Sequence, residues 1–207
     1  MKNHWRDLLA LLDYKEGERI IDIGGGMDPV PIADQVVDIM DFGLGGKAFT
    51  QLDLCCDRLP FPDKSFDICI CSQTLEDLAS PSLAIIEMNR VAKRGIIEVP
   101  HRGPESVKTS YNDMVDKPPY AQDADVWCYG TEHHKWLIEH IDGELRFIYK
   151  NPIYLMMHPI PKWCGQTGIR YQWKGMIRGG IAYDIDPRLM HQNYFEFRER
   201  TREFWDY

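Results

Sequence analysis

No stretch of the 207-residue chain approaches the roughly 20 consecutive apolar residues that a membrane-spanning helix requires, so no membrane span is expected. The N-terminus, Met1 to Asp13, has no long apolar run behind its positive charges, which argues against a secretory leader. Positive charge is also short: 24 Lys and Arg stand against 32 Asp and Glu, a formal net charge of -8. Phosphate backbones need a clustered positive field, so nucleic acid is not the expected partner. No C-x-x-C pair occurs among the six cysteines, at 55, 56, 69, 71, 128 and 164. Cys69 and Cys71 alternate within an apolar run and should share one face of a strand. They read as buried reduced thiols of a cytoplasmic protein, not as a disulfide framework or zinc site. Internal repeats and low-complexity segments are absent too.

What is present suits a globular chain. Apolar residues at 44% beside 27% charged residues are enough for a real core, and the length fits one domain, or one with an appended arm. Trp5, Leu8, Leu9, Leu11 and Leu12 sit close to helical spacing and predict a leading helix over Asn3 to Leu12. Arg19 to Ile23 reads as a buried strand entering a glycine loop, and Val36 to Met40 and Gln51 to Leu54 as two more strands. Ser65 to Ser72 is a clear strand after the turn residues Pro62, Asp63 and Lys64. Ser80 and Pro81 then open a helix, with Ser80 as its cap and Gly95 as its C-terminal glycine, and Ile96 to Val99 is the next strand. This order implies parallel pairing with crossover connections. Asp142-Gly143 predicts a hairpin between strands at Lys135 to His140 and Leu145 to Lys150, closing one sheet edge. From Asp186-Pro187 onward, Met190, Tyr194, Phe197, Thr201 and Phe204 form the stripe of a final helix that could pair two subunits in a homodimer.

The strongest local feature is Ile21-Asp22-Ile23-Gly24-Gly25-Gly26. Glycines after a strand let the backbone turn tightly and approach a ligand, and Asp22 would order the loop. Asp38, at the end of the next strand, could accept both hydroxyls of a ribose, with Asp41 as its rival. The continuation is Leu59-Pro60-Phe61-Pro62-Asp63-Lys64-Ser65-Phe66-Asp67, then Leu75-Glu76-Asp77, then Arg90-Val91-Ala92-Lys93-Arg94-Gly95. Taken together, residues 17–101 resemble the class I, Rossmann-like S-adenosylmethionine (SAM)-dependent methyltransferases, in particular the group called type 11.

The resemblance implies a doubly wound, mostly parallel α/β sheet with SAM at the carboxyl ends of its strands and a small-molecule or glycan-type methyl acceptor. It places Asp22, Gly24, Gly25 and Gly26 at the methionine and ribose, Asp38 on the ribose hydroxyls, Asp53 and Leu54 beside the adenine, and Ser72 and Gln73 next to the sulfonium. Methyl transfer by in-line SN2 displacement then depends on placement and desolvation more than on acid–base chemistry. The implied organisation is a SAM-binding domain over residues 1–150, with 102–130 as a lid, and an extension over 151–207 ending in the final helix.

The chain also departs from the family pattern. Asp28 replaces the third glycine, Pro29 and Pro31 follow, and only nine residues separate Gly26 from Val36, so any helix there must be very short. Gln73 stands where many relatives carry His. These departures favour a competing class, a non-catalytic SAM-binding subunit that scaffolds or regulates a partner. A nicotinamide-dependent oxidoreductase is a third class, opposed by the missing G-x-G-x-x-G spacing. His101, His133 and His134 are candidate general bases. A metal at His133 and His134 is not expected, because adjacent side chains of a strand point to opposite faces and no further ligands stand at familiar spacing. Trp127, Tyr129, Tyr154, Trp163, Tyr171 and Trp173 could line the acceptor pocket or form a small satellite core.

Overall fold

The computed structural model describes residues 4–43, 46–110, 127–131, 133–151, 155 and 165–181. The leading helix is α1 (His4–Leu11). The strands β1 (Ile20–Ile23), β2 (Gln35–Asp38), β3 (Phe49–Gln51) and β4 (Phe66–Ser72) follow. Then come α2 (Pro81–Val91) and β5 (Ala92–Pro100). A short helix, α3 (Arg102–Glu105), precedes β6 (Lys108–Ser110) and β7 (Trp127–Tyr129). The last strands are β8 (Trp136–Ile141), β9 (Glu144–Tyr149), β10 (Gly168–Lys174) and β11 (Gly179–Ile181).

The main sheet runs β10-β5-β4-β1-β2-β3, parallel throughout except for β10, which pairs antiparallel with β5. This is the Rossmann-like order, with its antiparallel edge. The edge is made by β10, where Ile169-Arg170-Tyr171-Gln172-Trp173-Lys174 alternates buried apolar and exposed polar residues, a strand signal missed in a segment rich in Pro, Trp and Gly. The Asp142-Gly143 hairpin forms as expected, but β8 and β9 belong with β11 to a separate three-stranded sheet.

Strand alternation sorts the core into two faces. Ile21, Ile23, Cys69, Cys71, Ile97 and Val99 face α2 and the second sheet, packing on Ala84, Met88, Trp136, Ile138 and Phe147. Ile20, Ile68, Ile70 and Ile96 face the other way, onto Leu8 and Leu9 of α1 and Leu12 just after it. Each of these fully buried aliphatic side chains contributes roughly 1.5–3 kcal/mol of transfer free energy. Cys69 and Cys71 are buried and free on one face, as their spacing predicts.

Several expectations need correction. Gly95 is not a helix cap. The helix stops at Val91, and Gly95 lies in β5 opposite Cys69 and Trp173, where a Cβ would stand 2.2 Å from the Cys69 carbonyl oxygen. Close strand approach, not helix termination, requires glycine there. Ser80 is the N-cap residue, but its side chain makes no capping hydrogen bond. Tyr171 and Trp173 belong to the main core, and Tyr129 to a satellite cluster with Leu137, Ile148 and Leu155, so these three pack rather than line a pocket. Trp127 has no described side chain; Tyr154, Trp163, the 111–126 part of the expected lid and the whole C-terminal helix lie outside the described residues. Between Gly24 and Asp34 the chain crosses from β1 to β2 in turns, with no helix at all.

Candidate functional site

The face that α1 covers changes character toward the carboxyl ends of the strands. After Ile20, Ile70 and Ile96, the next positions pointing the same way are Asp22, Ser72 and Glu98. Polar ends on an apolar base open a cavity of about 530 Å³ beneath His4, Trp5 and Leu8 of α1, with Gly24, Gly25, Asp28 and Gln73 completing its wall. Glu98 is its most connected group. One carboxylate oxygen receives the Ser72 hydroxyl at 2.9 Å and contacts His4 Nε2; the other pairs with Arg170 Nε at 2.8 Å. Burial raises the Glu98 pKa, and bonds from Arg170, His4 and Ser72 outweigh it, holding the group below its usual range.

A second cavity of about 450 Å³ lies at the ends of β2 and β3, lined by Gly26, Asp38, Ile39, Phe42, Leu52, Asp53 and Leu54 among others. Gly24 and Gln73 line both cavities, so the two adjoin across the loop after β1 and the end of β4. The loop is built for close approach. Gly24 has φ +72, and a Cβ there would meet Thr74 Oγ1 at 2.2 Å. Gly26 has φ +55, and a Cβ there would stand in open space with only Gly24 O at 4.0 Å. Asp22 orders the loop as expected, accepting the Val30 N–H at 2.7 Å, and burial pushes its pKa up to about 6. Asp38 accepts the Gly26 N–H at 2.9 Å. Its rival Asp41 instead closes a local turn onto Gly43 N. Gln73 holds φ +52, a conformation side chains adopt at a cost of about 1–3 kcal/mol and one that clusters at functional sites.

Both cavities are acidic. Asp22, Asp28 and Glu98 line the first and Asp38, Asp53 and Asp77 the second, against the single lysine Lys135. Asp53 sits below its usual pKa chiefly because it accepts the Cys55 N–H. Leu54 contributes to the cavity wall while packing in the main core. Such a cleft suits an uncharged or cationic ligand and repels a pyrophosphate.

The three candidate histidines lie outside both linings. His101 caps α3, its Nδ1 accepting the Gly103 N–H at 2.9 Å, and burial lowers its pKa. His133 is exposed, whereas His134 is half-buried with Nδ1 3.2 Å from Glu105 Oε1, an ion-pair approach without an aligned hydrogen bond. Burial lowers the His134 pKa, and Glu105 overrides it, leaving the imidazole above its usual range. The two imidazoles are not held on opposite faces of a strand. β8 begins only at Trp136, so His133 and His134 sit in a turn with ring centroids 4.8 Å apart, beside Asp77. Sequence reasoning passed over His4, Trp5 and Glu98. A glutamate inside the apolar run Ile96 to Val99 was the available signal for Glu98.

Residues 26–97 match a family profile described as a methyltransferase domain, in the type 11 group. Solved structures similar to the chain include the YcgJ protein of Bacillus subtilis, at 24% identity over 47% of this chain and 52% of that one, with a TM-score of 0.38. A SAM-dependent methyltransferase from Mesorhizobium loti matches at 16% identity over 67% and 68%, with a TM-score of 0.43. One from Archaeoglobus fulgidus matches at 23% over 49% and 53%, with a TM-score of 0.38. The match spans about half the length of YcgJ. No curated protein matches the chain.

Proposed function

We propose that this chain, whose residues 26–97 match the type 11 methyltransferase-domain profile, binds SAM across the two adjoining cavities and methylates a small-molecule or glycan-type acceptor. The observation that carries this reading is the acidic cleft, whose carboxylates favour the sulfonium and ammonium of SAM over a dinucleotide.

The residues fit the cofactor. Asp38 has lone pairs left for ribose hydroxyls after accepting the Gly26 N–H, and Leu52, Leu54, Ile39 and Phe42 offer an apolar slot for adenine. Asp53 stands at the same wall. Asp22, Gly24, Gly25 and Gly26 would hold the methionine and ribose, and Ser72 and Gln73 the region of the sulfonium. The bound group supplies an activated methyl for in-line displacement. The chain's part is to hold the acceptor in line and dry, which falls to Trp5 and Leu8, with His4 and Glu98 in reach of an acceptor proton. His4, tied to Glu98, joins His101, His133 and His134 as a candidate base, and it is the one that lines the acceptor-side cavity.

The test is the melting midpoint with S-adenosylhomocysteine, with NADH as control. Ligand at a hundred times its Kd stabilises by about 2.7 kcal/mol, a rise of roughly 5–10 °C for a domain of this size. A rise with S-adenosylhomocysteine alone supports the reading. A rise with NADH alone, or none with either, contradicts it.

A further inference from the structure

Behind the wall of the second cavity, Asp77 at the end of the loop after β4 meets the turn that leads into β8. Asp77 Oδ1 lies 3.8 Å from His133 Nε2 and 3.9 Å from His134 Nε2, and one ligand atom from each residue falls within 4.8 Å of the other two. We propose that Asp77, His133 and His134 form a site for a divalent transition-metal ion, zinc foremost.

Two imidazoles and one carboxylate are a borderline nitrogen–oxygen set, which suits zinc and its neighbours and not calcium or magnesium. Tetrahedral zinc with bonds of 2.0–2.1 Å spaces its ligands by about 3.3 Å, so the two Asp77 distances must close by about 0.5 Å and the imidazole pair by at most about 1.5 Å, within reach of side-chain rotation in a turn. A His that ligates a metal commonly turns its other nitrogen to a carboxylate, a carbonyl or a water, which fixes the tautomer. His134 has this arrangement: Nε2 faces Asp77 and Nδ1 faces Glu105 Oε1 at 3.2 Å.

The surroundings are rich in carboxylates. Glu76 is fully buried, and among the described residues neither of its carboxylate oxygens accepts a hydrogen bond; the charges acting on it are those of His134, Asp77 and Glu105. Asp77 Oδ1, the atom that faces both imidazoles, is enclosed and also accepts none. Lys150 pairs with Glu105 at 2.8 Å. Three protein ligands leave a coordination position for water or for a group reaching along the cavity wall that Asp77 lines.

The test is calorimetric titration of the EDTA-treated full chain with Zn²⁺ alone, for wild type, His133→Ala, Asp77→Asn and the exposed control His140→Ala. His133 is exposed, so its variant should keep the metal-free melting midpoint and serve even if Asp77→Asn fails to fold. The expected result is one Zn²⁺ per chain, at least tenfold weaker binding in His133→Ala and Asp77→Asn, and no change in His140→Ala. No uptake by wild type, or equal affinity in wild type and His133→Ala, would overturn the assignment.

Discussion

The Asp38 carboxylate accepts the Gly26 backbone N–H at 2.9 Å, so the acid expected to hold a ribose also fixes the glycine loop after β1. Removing it therefore touches binding and loop order together. Asp38→Ala should weaken S-adenosylhomocysteine binding by about 10- to 100-fold, the worth of one or two hydrogen bonds to a charged group. Its fold should lose only about 1 kcal/mol. A fluorescence-monitored ligand titration beside a urea melt checks both numbers.

Gly24 faces the side chain of Thr74 at distances no real Cβ tolerates. Gly24→Ala is expected to cost about 2–4 kcal/mol, from overpacking plus the left-handed backbone. The double variant Gly24→Ala with Thr74→Gly should recover the overpacking part and not the backbone part. A double-mutant cycle from denaturant melts separates them; strict additivity would mean that the clash is not the cause.

How far the sequence alone leads depends on how local each signal is. The loop after β1, the strand Ser65 to Ser72 and the Asp142-Gly143 hairpin all announce themselves within a few residues. β10 carries the alternation Ile169-Arg170-Tyr171-Gln172-Trp173-Lys174, but its place at the sheet edge does not show locally, because its partner β5 lies far back in the chain. The cavity beneath α1 shows the same limit: His4 gains meaning only when α1 packs over the carboxyl end of β5. Gly95 misleads because a glycine after a helical run is ordinarily a cap, whereas here strand register with Cys69 demands it. Asp77, His133 and His134 meet only because a turn, and not a strand, precedes Trp136.

Burial pushes the Asp22 pKa from 3.8 up to about 6. An acid whose folded pKa exceeds its unfolded value holds its proton more tightly when folded, so stability falls as pH rises from about 4 to about 6. The cost at pH 8 is at most about 3 kcal/mol. Asp22→Asn should thus be as stable as wild type or more so at pH 8, lose that advantage by pH 4, and bind ligand less well. Chemical denaturation across this pH range reads the difference; an advantage that grows on acidification would contradict it.

Glu98 behaves in the opposite sense. Its pKa is held below the usual value, so its stabilising contribution is present above about pH 4.5 and lost as pH falls through the lowered value. Glu98→Gln is expected to cost about 2 kcal/mol at pH 7 by weakening the bonds to Arg170 and His4, with the deficit shrinking in acid. Melts at pH 7 and pH 3.5 measure it.

The central claim is that the adjoining cavities receive SAM along the glycine loop, and Gly26 tests it most directly. A methyl group at Gly26 meets no protein atom closer than 4.0 Å and costs only the left-handed backbone at φ +55, about 1–2 kcal/mol, yet it stands at the wall of the cavity lined by Asp38. The measurement is calorimetric titration of S-adenosylhomocysteine into wild type and Gly26→Ala. The account predicts one site per chain in wild type and binding at least tenfold weaker in Gly26→Ala, whose fold persists. Wild type that takes up no ligand, or a variant that binds equally well, would contradict it.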